Sequence, residues 1–120
     1  MNYWVVGAAW GGVDYQDQKF VKQGIWKLGW EEGHQRERAL QMKPGDRIAI
    51  KRMKGKGQKG ITIYHLGIIR GVIQKTNKVI CTVNWVATDL KRNIKQGRGC
   101  FAAIHGPFKR GAWVQKVFCL

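Results

Sequence analysis

From Val79 to Val86 the chain alternates, so that an extended segment turns Val79, Cys81, Val83 and Trp85 to one face and Ile80, Thr82 and Asn84 to the other. Such a strand is half buried and places the Cys81 thiol in a core. Tyr3 to Ala9 is a continuous apolar run that predicts a buried first strand, ended by Gly11-Gly12. Asp14 then stands where a helix N-cap belongs, Asp17 three residues on makes an imperfect capping box, Phe20 and Val21 supply an inward face, and Gly24 stops the turn. These signals predict a short helix over roughly 15–23. The next stretch alternates again, and a strand there directs Trp26, Leu28 and Trp30 to one side. Glu31 to Met42 is polar and reads as loop with a helical turn or two.

After Pro44-Gly45-Asp46 the texture becomes β. A turn leads into Arg47-Ile48-Ala49-Ile50-Lys51, a glycine and lysine loop follows, and Ile61 to Ile69 continues as one or two strands. Trp113 to Leu120 is expected to close the chain as a last strand. The pattern predicts an α+β fold: a small, twisted, partly closed β-barrel of five or six strands with one or two short helices packed on it. Its 120 residues suit one domain, 1–120, with no repeat or linker.

Charge sharpens this picture. The formal net charge is +15, and it is segregated. Up to Met42 five basic residues balance Asp14, Asp17, Glu31, Glu32 and Glu37, whereas the other seventeen face only Asp46 and Asp89. Six tryptophans accompany this excess. Indole faces stack on unpaired bases while Lys and Arg neutralise phosphates, so the combination points to nucleic acid as the partner. The basic residues expected on the phosphate backbone are Arg52, Lys54, Lys56, Lys59, Lys91, Arg92, Lys95, Arg98, Lys109 and Arg110.

Other chemistries find little support. Gly55-Lys56-Gly57-Gln58-Lys59-Gly60 spells a dinucleotide loop, but the segment after it is strand-like, whereas that loop must open a helix. It reads as a hairpin tip. The chain contains no serine, its three histidines are isolated, and its three cysteines show no zinc-like spacing. A Cys/His dyad such as Cys100 with His105 is the enzyme-like alternative, that of a small nuclease or thiol enzyme. No metal or cofactor is expected, and a non-enzymatic binding module is. No apolar run reaches the ~20 residues of a membrane helix, and the opening lacks a secretory pattern, so a cytoplasmic protein without membrane partners is expected.

Trp4, Trp85 and Trp113 sit inside apolar runs and are expected in the core, whereas Trp10, Trp26 and Trp30 flank glycines and are expected to line a mouth. The Tyr-Trp-Val-Val opening, the short helix, Gly24-Ile25-Trp26, the Gly45-Asp46 turn, Leu66-Gly67-Ile68-Ile69 and Thr82-Val83-Asn84-Trp85-Val86 together resemble the EVE and YTH branch of the PUA-like superfamily. The DNA-reading domains of some McrBC-type restriction systems are similar. This resemblance implies a domain that flips a modified base into an aromatic cage, most readily in DNA, as the recognition part of a restriction or defence system with an effector domain or subunit. An RNA-binding protein of RNA modification or decay is the alternative. It also implies that Trp26 is a cage wall and that Gln16 bonds the base edge. Asp14 and Asp17 are neighbours that could serve instead, with helix capping as the competing role of Asp14. The family's second cage tryptophan has no counterpart in Gln74-Lys75-Thr76-Asn77-Lys78, which leaves Trp10, Trp30 or Phe108 for that wall.

Overall fold

The structure, a computed structural model, describes residues 1–10, 14–28, 35–53, 60–76, 78–94 and 104–119, without the side chains of Trp10 and Met53. In chain order the elements are β1 (Tyr3–Gly7), β2 (Ala9–Trp10), β3 (Asp14–Tyr15), α1 (Asp17–Gln23), β4 (Ile25–Leu28), α2 (Arg36–Ala39), β5 (Arg47–Met53), β6 (Ile61–Lys75), β7 (Lys78–Ala87), β8 (Arg92–Ile94), β9 (Ile104–Phe108) and α3 (Ala112–Phe118). Seven strands form one mixed sheet in the order β4-β7-β6-β5-β1-β9, with β8 paired to β6 and only β1 and β5 parallel. A separate two-stranded ribbon joins β2 to β3. The protein is thus α+β, as its pattern predicts, and its described residues hold three short helices and more strands than the five or six expected.

Alternation along the strands loads both faces of the sheet. Trp4, Val6, Ile48, Ile50, Val79, Cys81 and Val83 enter one core with Phe20 of α1 and Ala39 of α2. Tyr3, Val5, Ala49, Ile61 and Ile63 enter the other, under Val114, Val117 and Phe118 of α3. The sheet curls strongly because β6 is one long strand broken by register shifts at Leu66/Gly67 and Ile69/Gly71. Gly67 is required there: a Cβ would stand 2.5 Å from Val83 Cγ1 and 2.9 Å from Trp85 Cε3. The curl brings Trp26 of β4 to β1, where its indole donates to the Gly7 carbonyl at 2.9 Å. Helix α2 reaches both sides, with Arg36 donating to the Lys75 carbonyl and Arg38 to that of Ile104.

Two local expectations are corrected. Helix α1 ends on Gly24 at φ +68, as expected, but its N-cap is Gln16, which makes no side-chain cap bond. Asp14 does not cap it, because the residue is held on the exposed β3 strand opposite Trp10. The segment expected as a last strand is helix α3, because Val114, Val117 and Phe118 recur at helical spacing and bury one stripe.

The Gly45-Asp46 turn is tied into the fold by a carboxylate. Asp46 is buried and accepts from the backbone N–H groups of Asn2 (3.0 Å) and Lys43 (3.1 Å) and from the Trp4 indole (3.0 Å). It thereby fixes the start of β1 to the start of β5. Asp46→Ala leaves three donors without their acceptor, and at about 1–3 kcal/mol for each group left unsatisfied the loss should be at least about 3 kcal/mol. Urea denaturation measures it; a loss under about 1 kcal/mol would contradict this role.

Candidate nucleic-acid interface

Helix α1 lies across the end of the sheet where β1 and β5 finish and β6 begins. The Gln16 N–H donates to the Ala8 carbonyl at 2.7 Å, which fixes the approach of the helix to β1. Asp17, 1% exposed, then points at β5 and β6. Arg52 grips both of its oxygens, with Nη2 at 2.8 Å from Oδ1 and Nε at 3.2 Å from Oδ2. His65 Nε2 is 3.2 Å from Oδ2, and the backbone N–H of Asp89 donates to His65 Nδ1 at 3.2 Å. Since Nδ1 accepts, Nε2 carries the ring proton of the neutral imidazole and donates it to Asp17.

A bulge makes this convergence possible. Ile50 faces His65 and Lys51 faces Ile63, so Tyr64 is an extra residue on β6. Tyr64 consequently sits beside Arg52, whose Cζ lies 4.2 Å from its ring centroid. The same Cζ lies 4.2 Å from the centroid of Tyr15 on β3. The guanidinium therefore rests on two tyrosine rings while Asp17 holds it through both carboxylate oxygens.

The electrostatics follow from the geometry. Burial pushes the Asp17 carboxyl up, but the hydrogen bonds and charge of Arg52, aided by His65, outweigh it and hold the group below its ordinary value. Burial likewise opposes the charge of Arg52, and Asp17 with the two tyrosines more than offsets this, so its pKa is raised. The Cys81 thiol, deep in the core, is pushed up to about 12 by burial. Among the described residues no three His, Cys, Asp or Glu side chains gather as a metal site, and no helix is long and apolar enough to cross a membrane.

The expected base-pocket residues are distributed unevenly. Asp17 and Gln16 are buried beside one another at the start of α1, and Asp14 is exposed on β3. Trp26 is a correction: it is 1% exposed and packed in the core, because its strand turns Trp26 and Leu28 inward under α1, so it does not line a mouth. Phe108 is a second correction. It packs edge-on against Trp113 at 5.2 Å, beside Tyr3 and Arg47 at the other end of β1 and β5 from α1. Trp30 and the Trp10 side chain lie outside the described residues. Of the tryptophans expected in the core, Trp4 is fully buried, whereas Trp85 and Trp113 are partly so.

The basic residues divide in the same way. Arg52 is committed to Asp17, and Arg92 donates to the carbonyls of Val117 and Lys116 at the C-terminal end of α3. Lys91 is exposed just before β8, while Lys109, bonded to Asn2, and Arg110 lie at the far end of β1. Lys54, Lys56, Lys59, Lys95 and Arg98 lie outside the described residues, yet register fixes where their segments start. Ile61 faces both Met53 and Ile94, so segments 54–59 and 95–103 depart from the end that also carries Arg52 and Lys91. No local signal in the sequence marks Tyr15, Tyr64 and His65; their contacts with Arg52 and Asp17 arise where α1, β3, β5 and β6 meet.

Neither the models of known protein families nor the curated proteins compared with the chain give a match.

Two predictions follow from this geometry. Because the folded pKa of Asp17 is depressed, its contribution to stability is present above its unfolded value near 3.8 and is lost as pH falls through the folded value. The stability difference between wild type and Asp17→Asn, from urea curves, should thus be constant above about pH 5 and shrink below it. A difference independent of pH would contradict the assignment. Trp26→Ala should cost about 3–5 kcal/mol, as a core aromatic does, and a loss under about 1 kcal/mol in the same assay would return Trp26 to a mouth.

Proposed function

We propose that the chain is a non-enzymatic nucleic-acid-binding module that recognises a modified base, with DNA the favoured strand, and serves as the recognition part of a restriction or defence system. One observation carries the reading: Met53, Ile61 and Ile94 lie side by side near exposed Lys91 and near Arg52, which rests on the rings of Tyr15 and Tyr64, and the sequence that continues from Met53 and Ile94 holds Lys54, Lys56, Lys59, Lys95 and Arg98. Phosphate-seeking charge beside base-stacking rings is what a nucleic-acid strand requires. Both acidic residues of the basic half, Asp46 and Asp89, are engaged in internal hydrogen bonds.

The curled sheet with α1 at one end and α2 beside it suits the partly closed barrel of the PUA-like superfamily, whose EVE and YTH branch the sequence resembles. With Trp26 in the core, the pocket of this reading is drawn around the β2–β3 ribbon and the start of α1, where Asp14 and Gln16 stand. Extruding a base costs a few kcal/mol and each aromatic stack returns about 1–3 kcal/mol, so affinity rests on the phosphate grip. His65 takes no part in ligand contact in this reading: it is fully buried, and both ring nitrogens are engaged, by Asp17 and by the Asp89 N–H.

Fluorescence anisotropy with matched DNA and RNA oligomers, each with and without a methylated base, tests the proposal. Affinity should fall about a thousandfold between about 50 and 200 mM salt if six phosphates are neutralised. Methylated DNA should bind tightest. A flat salt series would overturn the polyanion grip, and equal affinity for methylated and plain strands would overturn base recognition.

A further inference from the structure

Tyr15 is 48% exposed, yet its ring is held in place from within the protein. The Arg52 guanidinium lies against it at 4.2 Å, Tyr64 supports that guanidinium from a second ring at 4.2 Å, and Asp17 holds its edge through both carboxylate oxygens. An exposed aromatic side chain ordinarily needs no such support. Here a buried carboxylate, a cation and a second ring fix the orientation of a surface ring before any ligand arrives, which removes much of the ordering cost of binding.

The chemistry of the layer points to a planar π-ligand. Every base has a face that stacks on an aromatic ring, and a guanidinium contributes cation–π attraction beneath it. Successive residues of a strand point to opposite sides, so Tyr15 and Asp14 address different sides of the β2–β3 ribbon. A base stacked on Tyr15 is therefore distinct from one hydrogen-bonded by Asp14.

We propose that Tyr15, with Arg52 and Tyr64 behind it, is a preformed platform on which a second unpaired base of the bound strand stacks, next to the base being recognised. This subsite rests on the nucleic-acid reading above. Anisotropy titrations of a short labelled single-stranded DNA and of an abasic strand of equal length, with wild type, Tyr15→Ala, Tyr15→Leu and Tyr15→Phe, test it. Tyr15→Ala should weaken the base-bearing strand by about 5- to 150-fold, the range of one stack, and leave the abasic strand and the salt slope unchanged. Tyr15→Leu keeps apolar bulk beside Arg52 without a ring and should show the same selective loss, while Tyr15→Phe should match wild type. Loss on neither strand, equal loss on both, or a Phe variant as weak as Ala would overturn the platform. Binding of neither strand by the wild-type protein would overturn the nucleic-acid reading and the platform with it.

Discussion

A single carboxylate organises the end of the sheet where α1 meets β5 and β6. Asp17 is the first residue of α1, and it is almost fully buried against two strands that are far from it in sequence. Burying a charge is expensive unless its oxygens are all met, and here Arg52 and His65 meet them. Removing the carboxylate would do more than weaken a contact. It would strand a half-buried guanidinium, release the imidazole that fixes the loop at Asp89, and free two tyrosine rings. The seven-residue helix, too short to be stable alone, is held where it is by this pair together with Phe20 in the core.

Asp46 plays the corresponding part at the opposite end. It is also a buried carboxylate, but its donors are two backbone N–H groups and an indole, so it ties strand starts together without a cation. The contrast has a consequence for charge. Each buried acid uses hydrogen bonds available locally, and only Asp17 consumes an arginine, which leaves most of the basic excess uncompensated. A large unbalanced charge disfavours the compact state through self-repulsion.

Local sequence pattern was a good guide wherever one face of an element decides its fate. The alternation of Val79, Cys81 and Val83, the stop at Gly24 and the Gly45-Asp46 turn all appear where the residues demand them. Legibility failed where two periods compete or where the decisive partner is remote. Trp113 to Phe118 contains enough β-favouring residues to pass as a strand, yet Val114, Val117 and Phe118 carry the helical stripe that the second core needs. Glycines beside Trp26 suggested a mouth, whereas the curl of the sheet delivers its indole to the Gly7 carbonyl. The same limit applies to the site. Gln16 and Asp17 were singled out through the family resemblance, but that Asp17 would capture Arg52, and that a bulge would present Tyr64, depends on contacts made only in three dimensions.

We assign nucleic acid to one end of the curled sheet, built from α1, the β2–β3 ribbon and the β5, β6 and β8 termini. The opposite end carries basic residues as well, including Lys109, Arg110 and Arg47, so charge alone does not distinguish the two. Mapping amide resonances during titration with a methylated DNA strand separates them most directly. Shifts concentrated at Tyr15, Arg52, Ile61 to Ile63 and Lys91 to Ile94 are predicted; shifts concentrated at Arg47 and Phe108 to Arg110, or spread evenly over both ends, would contradict the account.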